Sequence, residues 1–464
     1  MRTALTTLTI LTAISLPQAA DPERQVIERL GAAGIHASVP APLFEELGWP
    51  LPDGGKHVRA IADAAREGAF DPRALERLRP EDIGYSATWH EVRYSYYGID
   101  WDITALGLVP RQAEPRLPTV VFINGGSANW YEFFVDPLNG PAVGQFLAQK
   151  VPVLLVSIPG NYRHGGWDAP IAARKPAYIL DRELDDREIR ARNVIFTFSV
   201  VAEGVRQIVE RATKGPVLIA GHSTGGEIQF LLRDALGSRL NGLSLGWGTG
   251  GPAALRRSWQ DDAAGTRNRG RFQVADLKLA AVRERTPEEY ARSYIGPLNP
   301  LGPGEPIAVA RRWFERENRR RPQFKQPIQD IEHRGEREYH EALSTEIHES
   351  VRAAGLRVDP AKVVSDLFST MRTPLSGYRR MVWTTAAGDD GHWDPDPKKA
   401  RELFVAEAFR KANPDAEIRV LVFDVPMSHY GHIEKPRPLA GGILAAVKWL
   451  YAASARPSSR ARLE

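Results

Sequence analysis

The chain has 464 residues, 43% hydrophobic, 25% charged and 9% aromatic, with a formal net charge of +4. This is the composition of a soluble globular protein, long enough for two or three domains and a large buried core, and the small charge excess calls for no nucleic-acid partner. Its cysteine count of 0 excludes disulfides, thiolate nucleophiles, cysteine metal ligands and a lipoprotein anchor, so stability must come from core burial.

In chain order, residues 1–20 read as a signal peptide. Arg2 gives the positive start, "ALTTLTILTAISL" (4–16) is apolar but too short to span a bilayer, and a cut after Ala20 leaves Gln18 at −3. No later stretch is long and apolar enough to span a membrane, so a periplasmic or secreted protein with no membrane partner is expected. Residues 21–88 predict an N-terminal helical extension, because "PERQVIERLGAAG" and "GGKHVRAIADAAREGAF" carry apolar residues at helical spacing. From residue 89 the pattern alternates and turns at "YGID", which predicts an antiparallel hairpin.

Short apolar runs follow, each ending in a turn and leading into helix-like sequence: "PTVVFINGG" (118–126), "VPVLLVSIPG" (151–160), "GPVLIAGHS" (215–223) and "LNGLSLGWG" (240–248). Two more come late, "RRMVWTTAAGDD" (379–390) and "EIRVLVFDVPMSH" (417–429). Strands alternating with helices predict an α/β fold with a mostly parallel central sheet flanked by helices. The core is expected over 89–251 and 376–456. The charged, helix-prone stretch 252–375 is expected as a helical cap insertion. Its basic run "RRWFERENRRRP" (311–322) reads as a solvated helix face.

The chemistry centres on "VLIAGHSTGGEIQFLL", where Gly221-His222-Ser223-Thr224-Gly225 forms a G-x-S-x-G pentapeptide. The bare pattern is weak, but an apolar strand enters it and an apolar helix leaves it. That context puts Ser223 on a tight turn whose flanking glycines allow close backbone approach. A serine hydroxyl needs a neighbouring base, and "VPMSHYGHIEKP" (425–436) offers two histidines, His429 and His432. His429 follows the last strand and its short loop; His432 lies nearer the next helix, where a packed or capping role fits it. For the acid, Asp389, Asp390, Asp394 and Asp396 compete in "TTAAGDDGHWDPDP". With His392 this cluster could instead face a divalent cation, but its spacing fits no standard metal loop, and no metal is expected.

At "GHSTGG" the chain resembles the α/β-hydrolase family, and the resemblance covers roughly 89–251 and 376–456. It implies a Ser, Asp, His order along the chain, with His429 in the catalytic place of "SHYGHIEKP" and Asp390 at the family's distance from its strand; Asp394 is the alternative acid. Ser428 stands where the family usually has Gly. It also implies an oxyanion hole from the backbone N–H groups of Thr224 and Gly126, the latter in Asn124-Gly125-Gly126 where the family usually has His-Gly-x.

The expected function is hydrolysis of a carboxylic ester or lactone through an acyl-serine, with no cofactor. A peptidase, amidase or acyltransferase on the same triad is the alternative. Aromatics just past several strand ends (Trp130, Tyr131, Tyr162, Trp167, Trp247, Trp393, Tyr430) predict a pocket for a small-molecule ester with an aromatic or sugar-bearing part.

Overall fold

The computed structural model describes residues 72–114, 116–123, 130–134, 141–160, 178–240, 243–247, 336–386, 409–423, 431–434 and 436–452, with 28, 30–32 and 36–38. In chain order come β1 (His36–Ser38), α1 (Pro80–Ile83), β2 (Tyr85–Tyr96), β3 (Ile99–Pro110) and β4 (Thr119–Ile123). A 3-10 turn (Trp130–Phe133), α2 (Val143–Leu147), β5 (Val153–Ser157), α3 (Asp186–Val194) and α4 (Phe198–Ala212) follow. Next are β6 (Val217–His222), α5 (Thr224–Leu236), β7 (Leu243–Trp247), α6 (Glu336–Ala353) and α7 (Pro360–Arg372). The order closes with β8 (Arg380–Ala386), β9 (Glu417–Phe423), α8 (Gly431–Glu434) and α9 (Pro436–Ala452).

The strands form one sheet in the order β1-β9-β8-β7-β6-β4-β5-β3-β2. From β1 to β5 every neighbouring pair is parallel; β3 runs antiparallel to both β5 and β2. Residue types account for these places. β4, β5 and β6 read TVVFI, VLLVS and VLIAGH and are buried almost throughout, as central strands covered on both faces must be. β2 instead alternates buried and exposed positions, which suits an edge strand with one solvated face. Its hairpin turns at Tyr97 and Gly98, both at positive φ (57° and 74°), a pairing required by the turn type whose twist matches two antiparallel strands.

Successive residues of the central strands point to opposite faces and feed two separate cores. Val121, Ile123, Leu154, Val156 and Ile219 pack with α3, α4 and α5 on one face. Val120, Phe122, Leu155, Leu218 and Ala220 pack with α2 and α9 on the other. Each fully buried aliphatic side chain contributes roughly 1.5–3 kcal/mol. The helices start where side chains supply their caps: Asp185 accepts from the Glu188 N–H at 2.8 Å, and Thr197 accepts from the Val200 N–H at 3.3 Å.

Two stretches differ in detail from the sequence expectation. β2 begins at Tyr85 rather than at 89, and inside the expected helical extension His36–Ser38 are a strand paired in parallel with β9. Within the expected cap, α6 and α7 place Ile347, Val351, Val363 and Val364 in the same apolar cluster as α3, α4 and α5, so residues 336–372 thicken a helical layer of the core. Asp366 of α7 accepts hydrogen bonds from the hydroxyls of Tyr96 and Tyr97, both at 2.9 Å, tying that layer to the hairpin turn. Residues 248–335 lie outside the described residues.

Candidate active site

The sheet's chain order reverses at β4: β5 lies on one side of it and β6 on the other. In open α/β sheets such a switch point, at the carboxyl ends of the strands, is where ligands bind. Ile123, the last residue of β4, pairs with Gly221 of β6, and His222 pairs with Trp247 of β7. Ala386 and Phe423, the last residues of β8 and β9, pair with each other. Because β4, β6, β7, β8 and β9 are parallel, the chain leaves all of them at this one edge.

Ser223 stands alone between β6 and α5, with φ 52° and ψ −127°. Among the described residues only Tyr97 and Arg116 share a positive φ without being glycine. Such a conformation costs of order 1–3 kcal/mol and persists only where the surroundings over-determine it. Here they do. A Cβ on Gly221 would lie 2.7 Å from the Gly225 carbonyl oxygen, 2.7 Å from the Gly226 Cα and 2.8 Å from the Gly226 nitrogen. The helix start therefore presses directly on the strand end, and the Gly226 N–H donates to the Ser223 carbonyl at 2.8 Å. Ser223 is half-buried, neither sealed in the core nor free in solvent.

Thr224 opens α5, so its N–H is among the first-turn donors with no acceptor inside the helix, at the positive end of the helix dipole. A strained serine followed at once by such a donor can attack a carbonyl and receive the oxyanion. Of the other expected site residues, Gly126, Asp390 and His429 lie outside the described residues, as do Asp389, His392, Asp394 and Asp396. Gly126 nevertheless comes three positions after Ile123, whose partner is Gly221.

Beside the serine turn the structure brings together residues that lie far apart along the chain. His222, 1% exposed, meets the fully buried His432 of α8 edge to face, with ring centroids 4.5 Å apart. The His432 ring also meets Phe133 of the 3-10 turn, with centroids 5.2 Å apart. A single sequence carries no signal for these contacts, because the three residues sit on distant segments.

Trp130 requires a correction. Expected at the pocket rim, it is 1% exposed and packs against Trp89 and Phe134 at 5.6 and 5.7 Å, so it belongs to the core. Its backbone N–H donates to the Ser157 hydroxyl at 3.1 Å, which pins the 3-10 turn to the end of β5. Tyr162, Trp167, Trp393 and Tyr430 lie outside the described residues. A cavity of about 440 Å³ opens at the opposite end of the strands, lined by Leu243, Arg380 and Glu417, the first residues of β7, β8 and β9. It is remote from Ser223. Among the described residues there is no cluster of three or more metal-binding side chains, and no helix is long and apolar enough to cross a membrane.

No family model matches the chain, and neither does any curated protein. Among solved structures, an N-acyl homoserine lactonase complexed with N-hexanoyl homoserine is 13% identical with a TM-score of 0.39, covering 82% of this chain and 99% of that one. The structure of a putative lipase from Acinetobacter baumannii is 14% identical with a TM-score of 0.36, over 82% of this chain and 97% of that one. Brefeldin A esterase, a bacterial protein, is 14% identical with a TM-score of 0.34, over 94% of each chain. At such scores the likenesses carry no weight of their own, and the fold rests on the molecule's own geometry. A mostly parallel sheet with an antiparallel hairpin at one edge, helices on both faces, and a strained serine between a central strand and its helix make this chain an α/β-hydrolase in fold.

Proposed function

We propose that the protein is an exported serine hydrolase that cleaves a carboxylic ester or lactone of a small molecule through an acyl-serine intermediate. The observation that carries this reading is the backbone of Ser223, held at φ 52° between β6 and α5. A serine with a purely structural role has no need of a strained conformation, whereas a nucleophile gains exposure at the strand end from it.

The Ser223 hydroxyl attacks the carbonyl carbon while His429 accepts its proton, and the N–H groups of Thr224 and Gly126 hold the oxyanion. His429 then returns the proton to the leaving alkoxide. Water, deprotonated by the same imidazole, cleaves the acyl-enzyme and restores Ser223. Asp390 orients the imidazole and stabilises its charged form. The contact between His432 and His222 supports the choice of base segment: His429 is three residues from His432, at most about 10 Å of extended chain. His432 itself, fully buried against two rings, fits a packed residue better than a proton shuttle. Export rests on the character of residues 1–20 alone.

The direct test is labelling of the purified protein with a fluorophosphonate probe, with peptide mapping of the modified residue and assay on p-nitrophenyl esters and a simple lactone. Modification at Ser223, lost in Ser223→Ala together with turnover, is expected. A protein that neither labels nor turns over any of these substrates is not a serine hydrolase.

A further inference from the structure

His432 is fully buried, and its ring meets those of His222 and Phe133, at centroid distances of 4.5 and 5.2 Å. Each neighbour belongs to a different element. His222 is the last residue of β6 and is bonded directly to Ser223. Phe133, itself fully buried, ends the 3-10 turn that follows the 124–129 segment with Gly126, and that turn is pinned to Ser157 through the Trp130 N–H. His432 lies on α8, three residues after His429. One ring therefore touches the residue just before Ser223 and the 3-10 turn, and itself belongs to α8. Closely packed interiors transmit displacement instead of absorbing it, and edge-to-face aromatic contacts fix orientation as well as distance.

We propose that His432 is a positioning residue: in contact with both His222 and Phe133, its ring sets the placement of the β6 end that carries Ser223 relative to the 3-10 turn and α8. The role belongs to the ring's shape and contacts, not to proton transfer. It rests on the serine-hydrolase reading, since it has meaning only if Ser223 is the nucleophile. A displacement of about 1 Å in such a constellation can cost on the order of 100-fold in rate without loss of the fold.

The experiment compares His432→Gln, which removes the ring, with His432→Phe, which keeps one, on the full-length protein. The readouts are kcat and KM on a p-nitrophenyl ester, the rate of fluorophosphonate labelling of Ser223, and thermal melting. For His432→Gln, kcat should fall about 10- to 100-fold with KM within about twofold, and labelling should slow by the same factor. His432→Phe should recover kcat to within about fivefold of the parent. A folded His432→Gln with parental kcat, or a His432→Phe as impaired as His432→Gln, overturns the proposal. Should His432→Gln fail to fold, Phe133→Leu asks the same question from the ring's second contact: a several-fold loss of kcat is expected, and parental kcat in that folded variant overturns the proposal equally. Failure of the hydrolase reading is distinguishable, because the parent protein would then not label at Ser223 at all.

Discussion

A Cβ on Gly221 would lie 2.7 Å from the carbonyl oxygen of Gly225, closer than real side-chain carbons approach. The glycine four residues before the other is what lets α5 start against the end of β6, and it leaves Ser223 no ordinary conformation to adopt. Gly221→Ala should therefore force the turn open. The expected cost is roughly 1–3 kcal/mol of stability, as for overpacked cores, with a loss of activity exceeding what the unfolded fraction explains. Denaturant unfolding combined with kcat per folded molecule checks this. An alanine variant with parental stability would show that the turn yields more easily than its contacts indicate.

The strain at Ser223 has an opposite consequence. Ser223→Ala and Ser223→Gly should both abolish ester turnover, yet they should differ in stability. Alanine keeps the unfavourable φ of 52°, whereas glycine releases it. Strain of about 1–3 kcal/mol, less the roughly 0.4–1 kcal/mol of extra freedom glycine gives the unfolded chain, leaves the glycine variant about 1 kcal/mol the more stable. Side-by-side melts decide it; equal stabilities would mean that the turn stores no strain.

The expected base and acid separate kinetically. His429→Gln should lower kcat by several orders of magnitude, far beyond the 100-fold upper limit expected for His432→Gln. Asp390→Asn should cost about 10⁴ in kcat with little change in KM, since the amide favours the wrong imidazole tautomer. Steady-state kinetics on these variants and on Asp394→Asn gives the ranking. If Asp394→Asn is the most damaged of the aspartate variants, the acid moves there while Ser223 and His429 keep their roles.

Acid should weaken the fold partly through Glu188 at the start of α3. Its carboxylate accepts from Arg182 at 2.7 and 2.9 Å and from the buried Arg192 at 2.8 Å. Arg182 chiefly, against the opposing effect of burial, and then Arg192 hold its pKa below the ordinary 4.5. A depressed folded-state pKa means that the unfolded chain binds the proton more tightly. The contribution is thus fully present above pH 4.5 and is lost as pH falls through the lower folded value. The melting difference between the parent and Glu188→Gln should accordingly shrink as pH is lowered through that window. A difference independent of pH would assign the effect of the substitution to packing.

The hairpin should report on the α7 attachment. Tyr97 is 7% exposed, and its hydroxyl bonds both Thr197 and Asp366, at 3.0 and 2.9 Å. Removing Asp366 as Asp366→Ala takes an acceptor from two tyrosines and should cost about 1–3 kcal/mol. Asp366→Asn keeps an acceptor and should cost less. Urea titration of the two variants provides the comparison, and equal losses would locate the effect in α7 itself.

Much of this was legible in residue order alone. The apolar runs around Val121, Leu155 and Ile219 could only be buried strands, because their lack of alternation requires cover on both faces. Tyr97-Gly98 could be read as a turn, and Ser223 as the residue between a strand and its helix, since local geometry follows from neighbours in sequence. Tertiary structure alone decided the rest. It put Trp130 in the core, although its place after a strand resembled a pocket rim. It also set α6 and α7 into the helical layer of one sheet face and joined His222, Phe133 and His432 in one cluster. A pattern of hydrophobicity specifies that a side chain is buried but not against what; the partner is fixed only when the parallel sheet brings distant strand ends to one edge.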